Sequence, residues 1–311
     1  MSVDRVEITE VGPREGFQFE GQGVATAGKI ELINTLAKTG LKRIQAVSFV
    51  SPKMVPHVAD AEEIMAAVDE VPGVEYEGLW FNLRGFERAR ATGRVTLDGQ
   101  ITVSASDKFA QQNWRTDSSG LAELNRDLLS RYRDLNLPVG LSVAAAFGCN
   151  FQGRVEPSHV LDLINEAAEG VARAGLTLEE VALADTMAWA NPLSIVSLIE
   201  AVRGLDVAPG LRLHLHDTRG LGLANAYAAL SVGVRRFDTA IAGLGGCPFA
   251  GHKGAAGNIA TEDFVLLCHE VGLKTGVHVE ALLEAAHVAE SVVGHPAASR
   301  SLKGGHLPRG A

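Results

Sequence analysis

Leu211-Arg212-Leu213-His214-Leu215-His216-Asp217 is the stretch that decides how this chain is read. Leucine at every second position is the period of a β-strand with one apolar face. Residues i and i+2 of a strand point the same way, so His214 and His216 converge on one spot, as a metal site needs. Asp217-Thr218-Arg219-Gly220 follows and reads as a turn. The histidine pair therefore lies at the carboxyl end of its strand, where barrel and open α/β enzymes place their chemistry. An isolated pair of this kind is as readily two packed or solvated histidines, so the rest of the chain has to decide.

Outward from this strand, apolar strands alternate with helix-period segments. The pattern predicts strands over Val6–Val11, Arg43–Ser48, Gly78–Phe81, Gln100–Ser104, Val139–Ala146, Glu180–Ala184, Leu211–His216 and Arg236–Ala242. Helices are predicted over Lys29–Lys38, Ala59–Val68, Gly85–Ala91, Ser118–Leu135, Pro157–Ala174, Pro192–Val202 and Gly222–Ser231. Pro157 and Pro192 fall where a first helical turn tolerates proline, and Gly40 and Gly175 where helices stop. Eight alternating strands predict an α/β fold, a (β/α)8 TIM barrel, rather than a doubly wound sheet. No Gly-x-Gly-x-x-Gly follows an early strand, against a dinucleotide fold. Helices over roughly 262–293 supply the last barrel helix and a C-terminal extension. Residues 294–311, rich in Gly, Ser, His and basic side chains, are expected to form a mobile tail on a single barrel domain spanning 1–311.

At 311 residues the chain can bury a sizeable core. A net charge of −9 and the lack of any basic run speak against a nucleic-acid partner. No apolar run reaches membrane-spanning length and the N-terminus shows no leader character, so a cytoplasmic protein without a membrane partner is expected. Cys149, Cys247 and Cys268 follow no paired spacing, which suits a reducing compartment and a reactive rather than bridged thiol.

The strand ends carry the chemistry. They hold Arg14-Glu15 after the first strand, Gln45 and Ser48 on the second, Asp185-Thr186, the two histidines, and Gly245-Gly246-Cys247 after the last. On one rim these unite a carboxylate, an arginine, two imidazoles, a thiol and a Gly-rich loop. One carboxylate and two imidazoles suit a divalent cation with positions left open for substrate. Such ligands discriminate weakly among Mg2+, Mn2+, Co2+ and Zn2+. Arg14 beside a ligand could stabilise an oxyanion. The blander readings are a surface ion pair for Arg14-Glu15, a small buried residue for Cys247 and a helix cap for Asp185.

Five segments resemble those of 3-hydroxy-3-methylglutaryl-CoA lyases: Gly12-Pro13-Arg14-Glu15-Gly16-Phe17-Gln18, Ser48-Phe49-Val50-Ser51-Pro52-Lys53-Met54-Val55-Pro56, Leu213–Thr218, Ala242–Phe249 and Gly257–Asp263. The resemblance runs in order from about residue 3 to 290. It implies a (β/α)8 barrel that cleaves a 3-hydroxyacyl-CoA to acetyl-CoA and a keto product by a retro-Claisen reaction. It implies a divalent metal, Mg2+ or Mn2+ before Co2+ or Zn2+, held by Glu15, His214, His216 and Asn258. It also implies an acyl-CoA partner and a homo-oligomer, a dimer. Arg14 would stabilise the thioester enolate, Cys247 would protonate it, and His214 is the candidate base for the hydroxyl proton.

The chain departs from the family pattern in three places. Glu15 stands where Asp is usual, Gln45 where the site usually has Glu, and the stretch from Cys247 to Asn258 is two residues longer and holds His252 and Lys253. These changes predict a substrate altered in its acid portion. Two other classes stay open: a Claisen-condensing transferase of the isopropylmalate or homocitrate synthase type, and a catalytically degenerate acyl-CoA-binding barrel.

Overall fold

The structure, a computed structural model, describes residues 4–20, 23–247, 249–251 and 255–305. In chain order the first half runs β1 (Glu7–Glu10), α1 (Gly12–Phe19), α2 (Thr26–Leu36), β2 (Arg43–Ser48), α3 (Ala61–Ala67), β3 (Glu75–Leu79), α4 (Leu83–Ala91), β4 (Gly99–Ser104), α5 (Asp107–Trp114), α6 (Ser118–Leu135) and β5 (Val139–Ala144). A small hairpin, β6 (Gly148–Cys149) and β7 (Gly153–Arg154), precedes α7 (Pro157–Arg173). Then come β8 (Leu178–Asp185), α8 (Pro192–Arg203), β9 (Gly210–Leu215), α9 (Gly222–Ser231), β10 (Arg236–Thr239), α10 (Thr261–Glu270), α11 (Val279–Val293) and α12 (Arg300–Gly304).

Eight of these strands form one parallel sheet in the order β3-β2-β1-β10-β9-β8-β5-β4. It curls into the expected (β/α)8 barrel. Its outer strands meet at a seam bridged by single bonds rather than a ladder. Thr96 N–H donates to the Tyr76 carbonyl at 2.8 Å. The Trp80 indole donates to the Tyr132 hydroxyl, which donates to the Gln100 carbonyl. On β4 the Asn125 amide of α6 satisfies both the N–H and the C=O of Thr102, as a neighbouring strand would.

The alternation around His214 divides the two faces as the strand period requires. Leu213 and Leu215 have no exposed surface and belong to the core between sheet and helices. Burying each contributes about 1.5–3 kcal/mol. Arg212 and His214 take the opposite face and line the barrel interior. The strand ends one residue earlier than predicted. His216 instead makes a single antiparallel bridge to Asn258.

Other boundaries shifted for local reasons. The predicted Val139–Ala146 and Arg236–Ala242 strands stop short, because Ala145 and Ala242 take left-handed backbones (φ 55° and 60°). No helix is predicted over Gly12–Phe19 from the sequence, yet the segment is a helix with Pro13 in its first turn. Two glycines in eight residues hide its helical character. α5 was missed too, although Ser106 caps it by accepting from the Phe109 N–H. Pro157 and Pro192 do open their helices, and Asn191 completes a capping box with Ser194.

Residues 294–305 of the expected tail are tied down. Asp263 on α10 accepts from the Ser299 hydroxyl and from the Arg300 and Ser301 amides. Residues 306–311, like His252 and Lys253, lie outside the described residues. No helix among the described residues is long and apolar enough to cross a membrane.

Candidate active site

A cavity of about 210 Å³ opens at the carboxyl ends of the strands, and Arg14, Glu15, Gln45, His214, His216 and Cys247 all line it. A larger groove of about 740 Å³ lies outside the barrel between α6 and α7. Its lining holds neither imidazole nor thiol. The smaller cavity is therefore the candidate reaction site.

Glu15 enters from the first turn of α1, and the histidines from the end of β9. Their ligand atoms lie within 4.8 Å of one another. His214 Nε2 is 3.5 Å from Glu15 Oε2 and His216 Nε2 is 3.4 Å from Glu15 Oε1. The two Nε2 atoms are 3.1 Å apart.

The far side of each ring is committed. His216 Nδ1–H donates to the Thr186 carbonyl at 2.6 Å. His214 Nδ1–H donates to Asp238 Oδ2 at 3.2 Å. These partners place the protons on Nδ1 and aim both Nε2 lone pairs at the carboxylate, the tautomer a metal-binding imidazole requires. Two converging lone pairs repel, and a cation relieves that repulsion.

Asn258 adds a fourth donor. Its Nδ2 donates to Glu15 Oε1 at 2.9 Å and to the Leu244 carbonyl at 3.0 Å. Its Oδ1 is buried with no hydrogen-bond partner among the described residues. A buried carbonyl oxygen without a partner costs about 1–3 kcal/mol unless something else meets it. Two imidazoles, a carboxylate and this oxygen fit a divalent cation.

Electrostatics prepare the set. Burial pushes the Glu15 carboxyl up, but Arg14, His214 and His216 outweigh it and hold the group well below the usual carboxylate range. Burial opposes a charged His214, yet Glu15 and Asp238 raise its affinity for a proton. Asp238 is likewise lowered, burial being outweighed by Arg212 and His214. It pairs with Arg212 at 3.2 Å and so ties the histidine to the ionic floor of the barrel.

Asp238 was not picked from the sequence, and Thr186, which was noted at its strand end, acts through its backbone carbonyl. Asp238 faces His214 only because β10 pairs with β9 in that register. Its position two residues after Arg236, near a strand end, was the available signal. Replacing it with asparagine should lower divalent-metal affinity by ~10–100-fold, as loss of a histidine's outer partner does. Calorimetric titration with Mn2+ checks this, and an unchanged affinity would count against the role.

Arg14 lies 3.1 Å from Glu15 Oε2 through one guanidinium nitrogen, and its Nε donates to Gln45 Oε1. The neutral amide thus occupies the place where a carboxylate would have formed a second ion pair. Cys247 sits on the loop that follows β10, half-buried, and burial, with Glu15 nearby, pushes its thiol up to about 12. The thiol therefore holds its proton at neutral pH. Glycine is required just before it. A Cβ on Gly245 (φ 81°) would lie 2.8 Å from Asn258 Nδ2 and from Glu15 Cγ. Gly246 N–H can then donate to Glu15 Oε1 at 3.0 Å.

Asp185, expected among the reacting groups, does not line the cavity. Its Oδ1 accepts from the Trp189 and Ala190 amides at 2.7 and 3.0 Å, which shapes the loop after β8. That loop carries the Thr186 carbonyl to His216.

Fold and site together define a (β/α)8 barrel enzyme with a divalent-metal centre at its carboxyl-end rim. Comparison narrows the class. The HMGL-like family matches residues 5–289. The cytoplasmic 3-hydroxy-3-methylglutaryl-CoA lyase of Mus musculus is 38% identical over 90% of this chain and 79% of its own length. The hydroxymethylglutaryl-CoA lyase of Bacillus subtilis is 36% identical over 96% and 97%. Among solved structures, the Pseudomonas aeruginosa hydroxymethylglutaryl-CoA lyase superposes with a TM-score of 0.86, at 37% identity over 97% of both chains. An HMG-CoA lyase from Acinetobacter baumannii, in complex with coenzyme A and 3-methylmalate, gives 0.87 at 35% identity over 100% and 98%. This chain belongs to the HMGL-like family.

Proposed function

We propose that this chain is an acyl-CoA carbon–carbon lyase that cleaves 3-hydroxy-3-methylglutaryl-CoA to acetyl-CoA and acetoacetate. The observation that carries the reading is the convergence of Glu15, His214, His216 and the unpartnered Asn258 Oδ1 under the Gly245-Gly246-Cys247 loop. The identity to hydroxymethylglutaryl-CoA lyases supports the lyase over a condensing synthase, and the assembled ligand set counts against a degenerate barrel.

Glu15, His214, His216 and Asn258 would hold Mg2+ or Mn2+. When bound, such an ion polarises oxygens of the substrate and acidifies its hydroxyl. An imidazole whose Nε2 is a ligand cannot take a proton there, so ligation and base catalysis are exclusive duties of His214, and we assign it the first. Water in the open cavity takes the hydroxyl proton as the bond between C2 and C3 breaks and C3 becomes the ketone. The electron pair passes to the thioester enolate. Arg14 stabilises the developing oxyanion. Cys247, still protonated, delivers a proton to C2. Asp185 contributes from behind by shaping the Thr186 loop. We extend the reading to a cytoplasmic homodimer, as the family resemblance and the cytoplasmic mouse relative support.

Gln45 gives a second reading, in which a related 3-hydroxyacyl-CoA with a different acid portion is the better substrate. A neutral amide bonded to Arg14 can donate to a substrate oxygen that a glutamate would repel. The test is a panel of 3-hydroxyacyl-CoAs with acetyl-CoA release as readout, compared by kcat/KM. Gln45→Glu should then shift the ranking toward 3-hydroxy-3-methylglutaryl-CoA by roughly tenfold, the size of one polar contact. If that substrate already leads and the substitution leaves the ranking unchanged, the second reading is wrong. Release from no member of the panel would remove the lyase proposal itself.

A further inference from the structure

The Cys247 loop is fastened from outside the reaction site. Asn150, at the tip of the β6–β7 hairpin, donates through Nδ2 to the Phe249 carbonyl at 2.6 Å and to the Ala250 carbonyl at 3.2 Å. Its Oδ1 accepts from the Trp189 indole at 2.9 Å and from Arg219 at 3.5 Å. Arg219 donates in turn to the Ala250, Met187 and Ala188 carbonyls. One amide therefore joins the segments that follow β5, β8, β9 and β10. Ala250 beneath it is buried in a small apolar cluster with Cys149 and Met187. Its N–H donates back to the Cys247 carbonyl at 3.0 Å. The Phe151 and Phe249 rings meet edge to face at 5.4 Å.

The polarity of the group matters. Indole and guanidinium fix Oδ1 as the acceptor side, which leaves Nδ2 to face two carbonyl oxygens. Aspartate has the same shape but presents an oxygen to both. Asn150 is exposed, so water competes for its bonds and the fastening can open. We infer that Asn150 is a positioning residue that clasps the Cys247 loop over the mouth of the cavity. It touches none of the proposed reacting groups. It sets how often the loop is closed and where the thiol stands when it is.

The experiment is alkylation of the full-length protein by iodoacetamide, read at each cysteine by peptide mass spectrometry. Cys149 and Cys268 are buried and serve as internal references. Asn150→Asp and Asn150→Ala should both speed modification of Cys247, by roughly tenfold, with the two buried cysteines unchanged. The kcat on 3-hydroxy-3-methylglutaryl-CoA should fall in parallel while Mn2+ affinity stays at the wild-type value. Cys247 reacting at the wild-type rate in either variant overturns the inference. If only Asn150→Asp responds, the added charge is the cause and the clasp is not. A rise at all three cysteines would mean general loosening and would overturn it equally. The inference rests on the reading of Cys247 as the working thiol for its kcat arm alone. Labelling needs no substrate, so full activity of a Cys247 variant would sink that reading and leave the clasp standing.

Discussion

His216→Ala is expected to remove metal binding and turnover together. The side chain is almost fully buried, and its Nδ1–H is spent on the Thr186 carbonyl, so Nε2 has one task left, toward Glu15. Losing a ligand should cost more than the ~10–100-fold that loss of a ligand's outer partner costs. The fold should survive, since the deletion strands only one carbonyl, worth about 1–3 kcal/mol. Metal content of the purified variant and a Mn2+ titration check the result. Unchanged metal content would show that His216 is a packed histidine after all.

The second large effect belongs to the thiol. Cys247→Ala should lower kcat by about 10²–10⁴-fold, the range of a general acid, with KM nearly unchanged. A thiol held up to about 12 by burial carries its proton throughout the neutral range, as a donor to a carbanion must. The loop itself should keep its course, because Gly245, Gly246 and the Asn150 bonds set it rather than the sulfur. Turnover close to wild type would mean that the sulfur only fills space.

Much of this was legible in the chain. The barrel followed from eight alternating strands, and the histidine pair from a period of two that needs no knowledge of partners. Glu15 and Cys247 followed from their places at strand ends, and Asn258 from the resemblance of its segment. What stayed hidden was set by register and by long-range contact. Asp238 becomes the partner of His214 only once β10 lies beside β9. Asn150 reaches Phe249 across 99 residues, and nothing in the local sequence of either announces the other. Asp185 was legible as a strand-end carboxylate, but its commitment to the Trp189 and Ala190 amides depends on how the following loop turns back. Gly12–Phe19 was hidden because a short helix with two glycines has little periodicity to show.

The bond between Asn258 and Glu15 spans 243 residues. The candidate ion site is thus made from the two extremes of the barrel sequence, brought side by side where β1 pairs with β10. Neither half of the chain holds the full ligand set, and a growing polypeptide acquires it only after the last strand, β10, has been made. Affinity for the ion is consequently a property of the closed ring. An ion that binds only that ring withdraws it from the unfolding equilibrium by mass action, so the cation that serves the reaction also acts as a buckle on the finished barrel.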